Sequence, residues 1–251
     1  MIKSLQALAF ALVAGGAVAA GGGVHLDSAN IDSANKASLQ RGAQLYVNYC
    51  LGCHSLKFQR YGRMADDLDM SRSLVEKNML FVTGSKVGDT MEISMPARHA
   101  KDWFGQTPPD LSLITREKGV DFVYSYLTTF YLDATRETGV NNAVFPASSM
   151  PWIMWKLEGW KKPIFEEHTV VGEDGEDKVV DEIVGYEQVS DGELSPEGFK
   201  TAMRDLTNFL DYTAEPIRSY RQSLGIKVIF YLLILLVLSY FLKKEIWRDV
   251  K

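Results

Sequence analysis

The chain has 251 residues, room for one large domain or two small ones, and its 27 Lys and Arg against 32 Asp and Glu give a formal net charge of −5. An acidic balance argues against a nucleic-acid partner and for a basic one. Its only two cysteines, Cys50 and Cys53, leave no further thiols for a zinc cage or a structural disulfide.

At the amino end Lys3 precedes an apolar run from Leu5 to Val18, followed by the small-residue stretch Ala17-Val18-Ala19-Ala20. This pattern predicts a cleaved export signal over residues 1–20, with an uncut anchor as the alternative. A polar, glycine-led lead-in occupies 21–35. Leu39, Ala43, Tyr46 and Cys50 then recur at three- and four-residue steps, predicting a helix over 36–48. Gly42, Tyr46 and Cys50 share one face, where the glycine admits a second helix at close range.

Cys50-Leu51-Gly52-Cys53-His54 follows at once. A C-x-x-C-H run places two thiols where they can add to the vinyl groups of a haem, with the histidine beneath the ring as the fifth iron ligand. The rest of the chain must supply a sixth. His25, His99 and His168 are candidates, but a thioether favours reduced iron and suits a late electron carrier. Met95 and Met150 both precede proline in predicted loops, and ligand chemistry alone leaves the choice between them open.

A helix is predicted over 120–132 from Val120, Val123, Leu127 and Phe130. Residues 169–190 predict a small β-hairpin around the acidic turn Gly172-Glu173-Asp174-Gly175-Glu176-Asp177. Ser195 caps a late helix opened by Pro196 and Glu197, with Phe199, Met203, Leu206 and Leu210 as its apolar stripe.

The apolar run Leu224–Leu242 has 19 residues. At ~1.5 Å per residue it spans ~28 Å, the depth of a bilayer's hydrocarbon core. Lys227 can snorkel to one surface, while Lys243, Lys244 and Arg248 anchor the other. With the export signal, this places the body (21–223) outside and the tail (243–251) inside. The stretch 21–226 holds 21 Lys and Arg against 30 Asp and Glu, a net of −9.

An early helix with glycine and an aromatic four apart before Cys50, crossed by a late helix carrying Leu206-x-x-Phe209, resembles the class I cytochrome c fold. Three further segments resemble cytochrome c1, the haem subunit of ubiquinol–cytochrome c reductase, in its proteobacterial form. They are Trp103 to Ser112 with Pro108-Pro109-Asp110, Gly139 to Pro151 ending Ser149-Met150-Pro151, and Ala214-Glu215-Pro216 with Arg218 before the terminal apolar helix. The resemblance implies a mainly α haem domain with long loop insertions and one carboxy-terminal transmembrane helix, located in the periplasm on the bacterial inner membrane. It implies one covalent haem c on Cys50 and Cys53, held by His54 and Met150. It gives Arg116 as the partner of a haem propionate, with Lys118 competing, and Pro108 and Pro109 as a wall against the ring. Tyr46 and Trp103 are read as packing residues.

In the implied function a Rieske iron–sulfur protein reduces the haem, which then reduces a basic cytochrome c, beside cytochrome b in a membrane complex. The chain breaks no substrate bond itself; it is a redox subunit of an oxidoreductase. The acids Glu173, Asp174, Glu176 and Asp177 are expected to help steer the acceptor. The rival functions are a free-standing anchored cytochrome c feeding an oxidase and a haem-based gas sensor. A dithiol or half zinc site would leave His54 unexplained.

Overall fold

The structure is a computed structural model that describes residues 25–171 and 177–249. The export segment 1–20 and the acids Glu173, Asp174 and Glu176 lie outside the described residues.

The first helix, α1 (Lys36–Leu45), starts at Asn35, whose side chain accepts from the Ser38 N–H. It continues into a wider π turn over Tyr46–Cys50, so that helical backbone runs up to the first cysteine. Strand β1 (Leu56–Arg60) pairs with β2 (Thr90–Met91), and between them lie the short helices α2 (Tyr61–Asp67) and α3 (Arg72–Asn78). Helices α4 (Ala97–Phe104), α5 (Ile114–Lys118) and α6 (Val120–Thr128) follow. Much of what the sequence leaves as loop is therefore short helix, too brief to show a periodic stripe.

Helix α6 ends four residues before the predicted limit, and Phe130–Leu132 forms strand β3 against β4 (Val140–Asn142). The cause is local. Thr128 Oγ1 donates to the Tyr124 carbonyl at 3.1 Å and Thr129 Oγ1 to that of Ser125 at 2.7 Å, so two β-branched hydroxyls cap the last turn.

After α7 (Trp155–Glu158), strands β5 (Gly159–Val171) and β6 (Asp177–Asp191) make an antiparallel ribbon. It is far longer than the small hairpin expected from 169–190. Val170, Val171, Val179 and Val180 mark only the strand ends away from the base, because that base lacks clean alternation. That base is held to the body by Lys161, which is buried and donates to Glu158 and, at 2.7 Å, to the Thr128 carbonyl. Burial pushes the Glu158 carboxyl up and the Lys161 ammonium down from their ordinary values, and each opposes the other's shift.

Helix α8 (Pro196–Ala214) opens as expected, with Ser195 accepting from the Gly198 N–H and proline in the first turn. Phe199, Met203, Leu206, Phe209 and Leu210 are all buried. At about 1.5–3 kcal/mol for each fully buried large apolar side chain, this stripe is a principal source of the fold's stability. It crosses α1 at Gly42, where a Cβ would meet the Asp205 carbonyl oxygen at 2.1 Å. Beside that contact Arg41 and Ser38 both donate to the Asp205 carboxylate, and Tyr46 lies 5.8 Å from Phe209 ring to ring.

Glu215-Pro216 separates α8 from α9 (Arg218–Ile246), since Pro216 offers no N–H to continue the ladder. Arg221 and Arg116 hold the Glu215 carboxyl below the usual carboxylate range, Arg221 having the larger effect. The 29 residues of α9 reach ~43 Å, more than the apolar run alone. Residues Tyr220–Ile246 are long and apolar enough to cross a membrane, and none of that window is buried within the protein.

Candidate functional site

Cys50 closes the π turn, and its carbonyl accepts from the N–H groups of both Cys53 (3.0 Å) and His54 (2.9 Å). This tight reversal sends Cys53 and His54 to one wall of a cleft. The Tyr46 hydroxyl donates to the His54 carbonyl at 2.5 Å, fastening the far side of the turn to the helix crossing. Both thiols are free, Cys50 buried and Cys53 half-buried. Burial pushes the Cys50 thiol up to about 12 and raises Cys53 as well. A redox dithiol is instead marked by a lowered thiol. Among the described residues no cluster of three His, Cys, Asp or Glu side chains is placed to form a metal cage.

The segment after Gln106 is fastened to the residues that follow His54. The Leu111 N–H donates to the Ser55 carbonyl (2.9 Å), the Lys57 N–H to Asp110 Oδ2 (3.0 Å) and the Phe58 N–H to Ser112 Oγ (3.2 Å). That clamp explains the spacing of Pro-Pro-Asp-Leu-Ser: Asp110 and Ser112 are the hooks, and the prolines are held over the cleft. His54 Nδ1 stands 2.8 Å from the Pro109 carbonyl oxygen. A carbonyl can only accept, so Nδ1 carries the proton and Nε2 keeps a bare lone pair. Burial lowers the imidazole pKa, against smaller raising effects of the Pro109 carbonyl and Asp110, which favours the neutral ligand form.

The opposite wall comes from the loop between β4 and α7. Asn142, fully buried, accepts at Oδ1 from the N–H groups of Val144 (3.0 Å) and Phe145 (2.9 Å). Its Nδ2 donates to the Tyr126 carbonyl at 2.7 Å. Asn141 Oδ1 accepts from the Ala147 N–H, and Arg136 donates to the Ala147 carbonyl. Ala147 itself has φ of +63°, a left-handed conformation that a non-glycine residue keeps only when its surroundings enforce it. Trp152 closes the loop by stacking on Phe130 at 4.5 Å. Met150 is thereby fixed in the cleft, with its sulfur 3.4 Å from the Tyr126 hydroxyl. Burial raises the Tyr126 phenol, so it keeps its proton.

The cleft encloses about 480 Å³, part of it open to solvent, and is lined by Cys53, His54, Pro108, Pro109, Met150 and Ile153 among others. Of the two methionine candidates Met150 lines it and Met95 does not. His99 lies beside Trp103 (5.6 Å) and His168 on the ribbon beside Glu182. Arg116 is outside the lining and pairs with Glu215 at 3.3 Å, while Lys118 pairs with Glu117. Trp103 packs at the surface, against His99 and Phe104, and is 66% exposed because only Ala100 of α4 turns inward. Sequence reasoning missed Tyr126, Ser148 and the two asparagines. Tyr126 sits four residues before Phe130 at the edge of the α6 stripe, a polar handle where an aliphatic would serve packing alone.

The donor set fits a c-type haem. The Cys53 thiol, a neutral imidazole with a free Nε2 and a thioether line one largely apolar cleft, and the buried Cys50 stands three residues before Cys53 at the end of the π turn.

A model of the cytochrome C1 family matches residues 27–250. The chain is 45% identical over 234 residues to "Cytochrome c1" of Allochromatium vinosum, covering 93% of each. It is 41% identical over 250 residues to the "Ammonia monooxygenase gamma subunit" of Nitrosomonas europaea, covering 100% of this chain and 99% of the relative. It is also 27% identical over 244 residues to "Cytochrome b/c1" of Bradyrhizobium diazoefficiens, covering 86% of this chain and 34% of that longer protein.

Proposed function

Since the chain belongs to the cytochrome c1 family, an electron-transfer haem subunit of bc1 complexes, we propose that it holds one covalent haem c and relays single electrons from a Rieske iron–sulfur protein to cytochrome c. The observation that carries this reading is the meeting of His54, its Nε2 bare, with Met150 in one cleft beside Cys53. When bound, the haem supplies a one-electron iron couple; the chain contributes attachment, ligands and shelter. Cys50 and Cys53 would hold the ring by thioether bonds, and Nε2 of His54 and the sulfur of Met150 would bind its iron. The Pro109 carbonyl fixes the imidazole orientation and increases its basicity through Nδ1–H. Pro108 and Pro109 limit solvent on one face. Arg116 serves a propionate by leaving Glu215, an exchange available to a guanidinium that is 57% exposed.

In this reading residues 1–20 export the chain, the body (21–223) works in the periplasm, 224–242 cross the inner membrane and 243–251 remain in the cytoplasm. The exposed apolar surface of α9 is available for lipid and for cytochrome b. The name of the Bradyrhizobium relative, "Cytochrome b/c1", supports that neighbour. The net −9 of residues 21–226 favours a basic acceptor.

The test is mild detergent extraction of native membranes followed by affinity capture of this chain through a carboxy-terminal tag. Capture should recover a b-type cytochrome and an iron–sulfur protein in equimolar amounts, with quinol:cytochrome c reductase activity. Recovery of this chain alone, or with monooxygenase subunits as the Nitrosomonas relative's name suggests, would contradict the assignment.

A further inference from the structure

Three hydrogen bonds close a ring around Met150. Its own N–H lies 3.3 Å from Ser148 Oγ, that oxygen lies 2.8 Å from the Tyr126 hydroxyl, and the Tyr126 hydroxyl lies 3.4 Å from the Met150 sulfur. Each hydroxyl has a single proton, so only one arrangement satisfies all three contacts. Ser148 accepts from the Met150 N–H and donates to Tyr126, and Tyr126 donates to the sulfur. Ser148 is 4% exposed, which leaves water little chance to substitute for either partner. The Tyr126 ring is fixed in turn, edge-on to Phe130 at 5.0 Å and stacked with Phe122 at 6.4 Å. The phenol therefore cannot swing away without disturbing the core.

We propose that Tyr126, oriented by Ser148, is a positioning residue that sets the reduction potential of the iron through the Met150 sulfur. The proposal rests on Met150 as the distal ligand. A thioether sulfur has two lone pairs. Iron takes one, and the Tyr126 O–H addresses the other. A donor on the second pair draws electron density from sulfur and weakens its support of ferric iron more than of ferrous. The reduced state gains. The same bond also fixes which lone pair faces the cleft, so the sulfur is presented before any metal is bound.

The test compares Tyr126→Phe, Ser148→Ala and Met150→Leu in the full chain, with reduction potential and the red thioether-to-ferric absorption band as readouts. Tyr126→Phe should keep the band, shifted in position, and lower the equilibrium constant for reduction by twofold to tenfold, up to about 59 mV for a one-electron couple. Ser148→Ala, which leaves the three packed rings intact, should lower it in the same direction by a smaller factor. This variant carries the test if Tyr126→Phe does not accumulate. A potential that is unchanged or raised in whichever of the two is recovered, with the band retained, overturns the inference and leaves Met150 as the ligand. If instead Met150→Leu keeps the band, the ligand assignment itself is wrong, and the inference falls with it.

Discussion

Met150→Leu is expected to lower the reduction potential on the order of a few tenths of a volt, within the ~0.8 V range that axial ligands command. The thioether is a soft ligand that favours ferrous iron, and leucine offers no lone pair at all. The loop should survive the change, because volume is nearly conserved and Leu-for-Met swaps usually cost less than about 1.5 kcal/mol. Its shape is set elsewhere, by Asn142 beneath Val144 and Phe145 and by Trp152 stacked on Phe130. The variant should therefore fold and keep its pigment while losing the thioether band and most of its ability to accept an electron. Met95→Leu, in a residue outside the cleft lining, should leave potential and spectrum as they were. The reverse pattern would move the distal ligand to Met95.

Gly42→Ala is expected to destabilise the protein although it replaces glycine by the best helix former. Propensity alone would favour alanine by about 1 kcal/mol in the interior of α1. Against that, the new Cβ would sit 2.1 Å from the Asp205 carbonyl oxygen and 2.7 Å from Phe209 Cβ, and the first of these is backbone that cannot rotate away. Relief requires α1 and α8 to move apart, which loosens Tyr46 against Phe209 and the Ser38 and Arg41 contacts to Asp205. Overpacking of a close crossing costs about 1–3 kcal/mol or more, so the clash outweighs the propensity gain. Gly42→Val should be worse, at about 3 kcal/mol or above. For a domain of this size that is a fall in Tm of roughly 6–12 °C. Thermal melting of the purified chain, followed in the visible and far-ultraviolet, reads both variants. An alanine variant melting at or above the parent would contradict the crossing.

The two helices that frame the site were legible because their signals are local and strong. Ser195-Pro196 marks a helix start in its own right, and Gly42, Tyr46 and Cys50 keep helical spacing up to the cysteine. The π turn over Tyr46–Cys50 was not legible, since one extra residue in a turn leaves the apolar pattern almost unaltered. The end of α6 was misplaced for a similar reason. Val120 to Phe130 fits a helical stripe, yet Thr128 and Thr129 cap the chain and Phe130 pairs with Asn142 across a strand that the sequence does not announce. Of the ribbon, the sequence announces only the strand ends around Val170 and Val179, away from its base.

At the site Cys50, Cys53 and His54 come from five contiguous residues. Met150 does not follow in that way, because no spacing rule ties it to them and its place in the cleft depends on how its loop is held. What holds it is a set of contacts by polar side chains, spanning 6 to 22 residues. Asn141 reaches Ala147, Asn142 reaches Tyr126, and Ser148 reaches the same tyrosine from the other side. None of these pairs has a local pattern. The partner of Arg116 has no local pattern either: the fold pairs it with Glu215, just before the terminal helix.

The most direct measurement is the intact mass of the mature chain from a host that attaches haem, together with its alkaline pyridine spectrum. The account predicts a mass greater than that of the polypeptide by one haem, a c-type pyridine haemochrome, and no thiol at Cys50 or Cys53 open to alkylation after denaturation. A colourless chain of unmodified mass with both cysteines alkylated would contradict it.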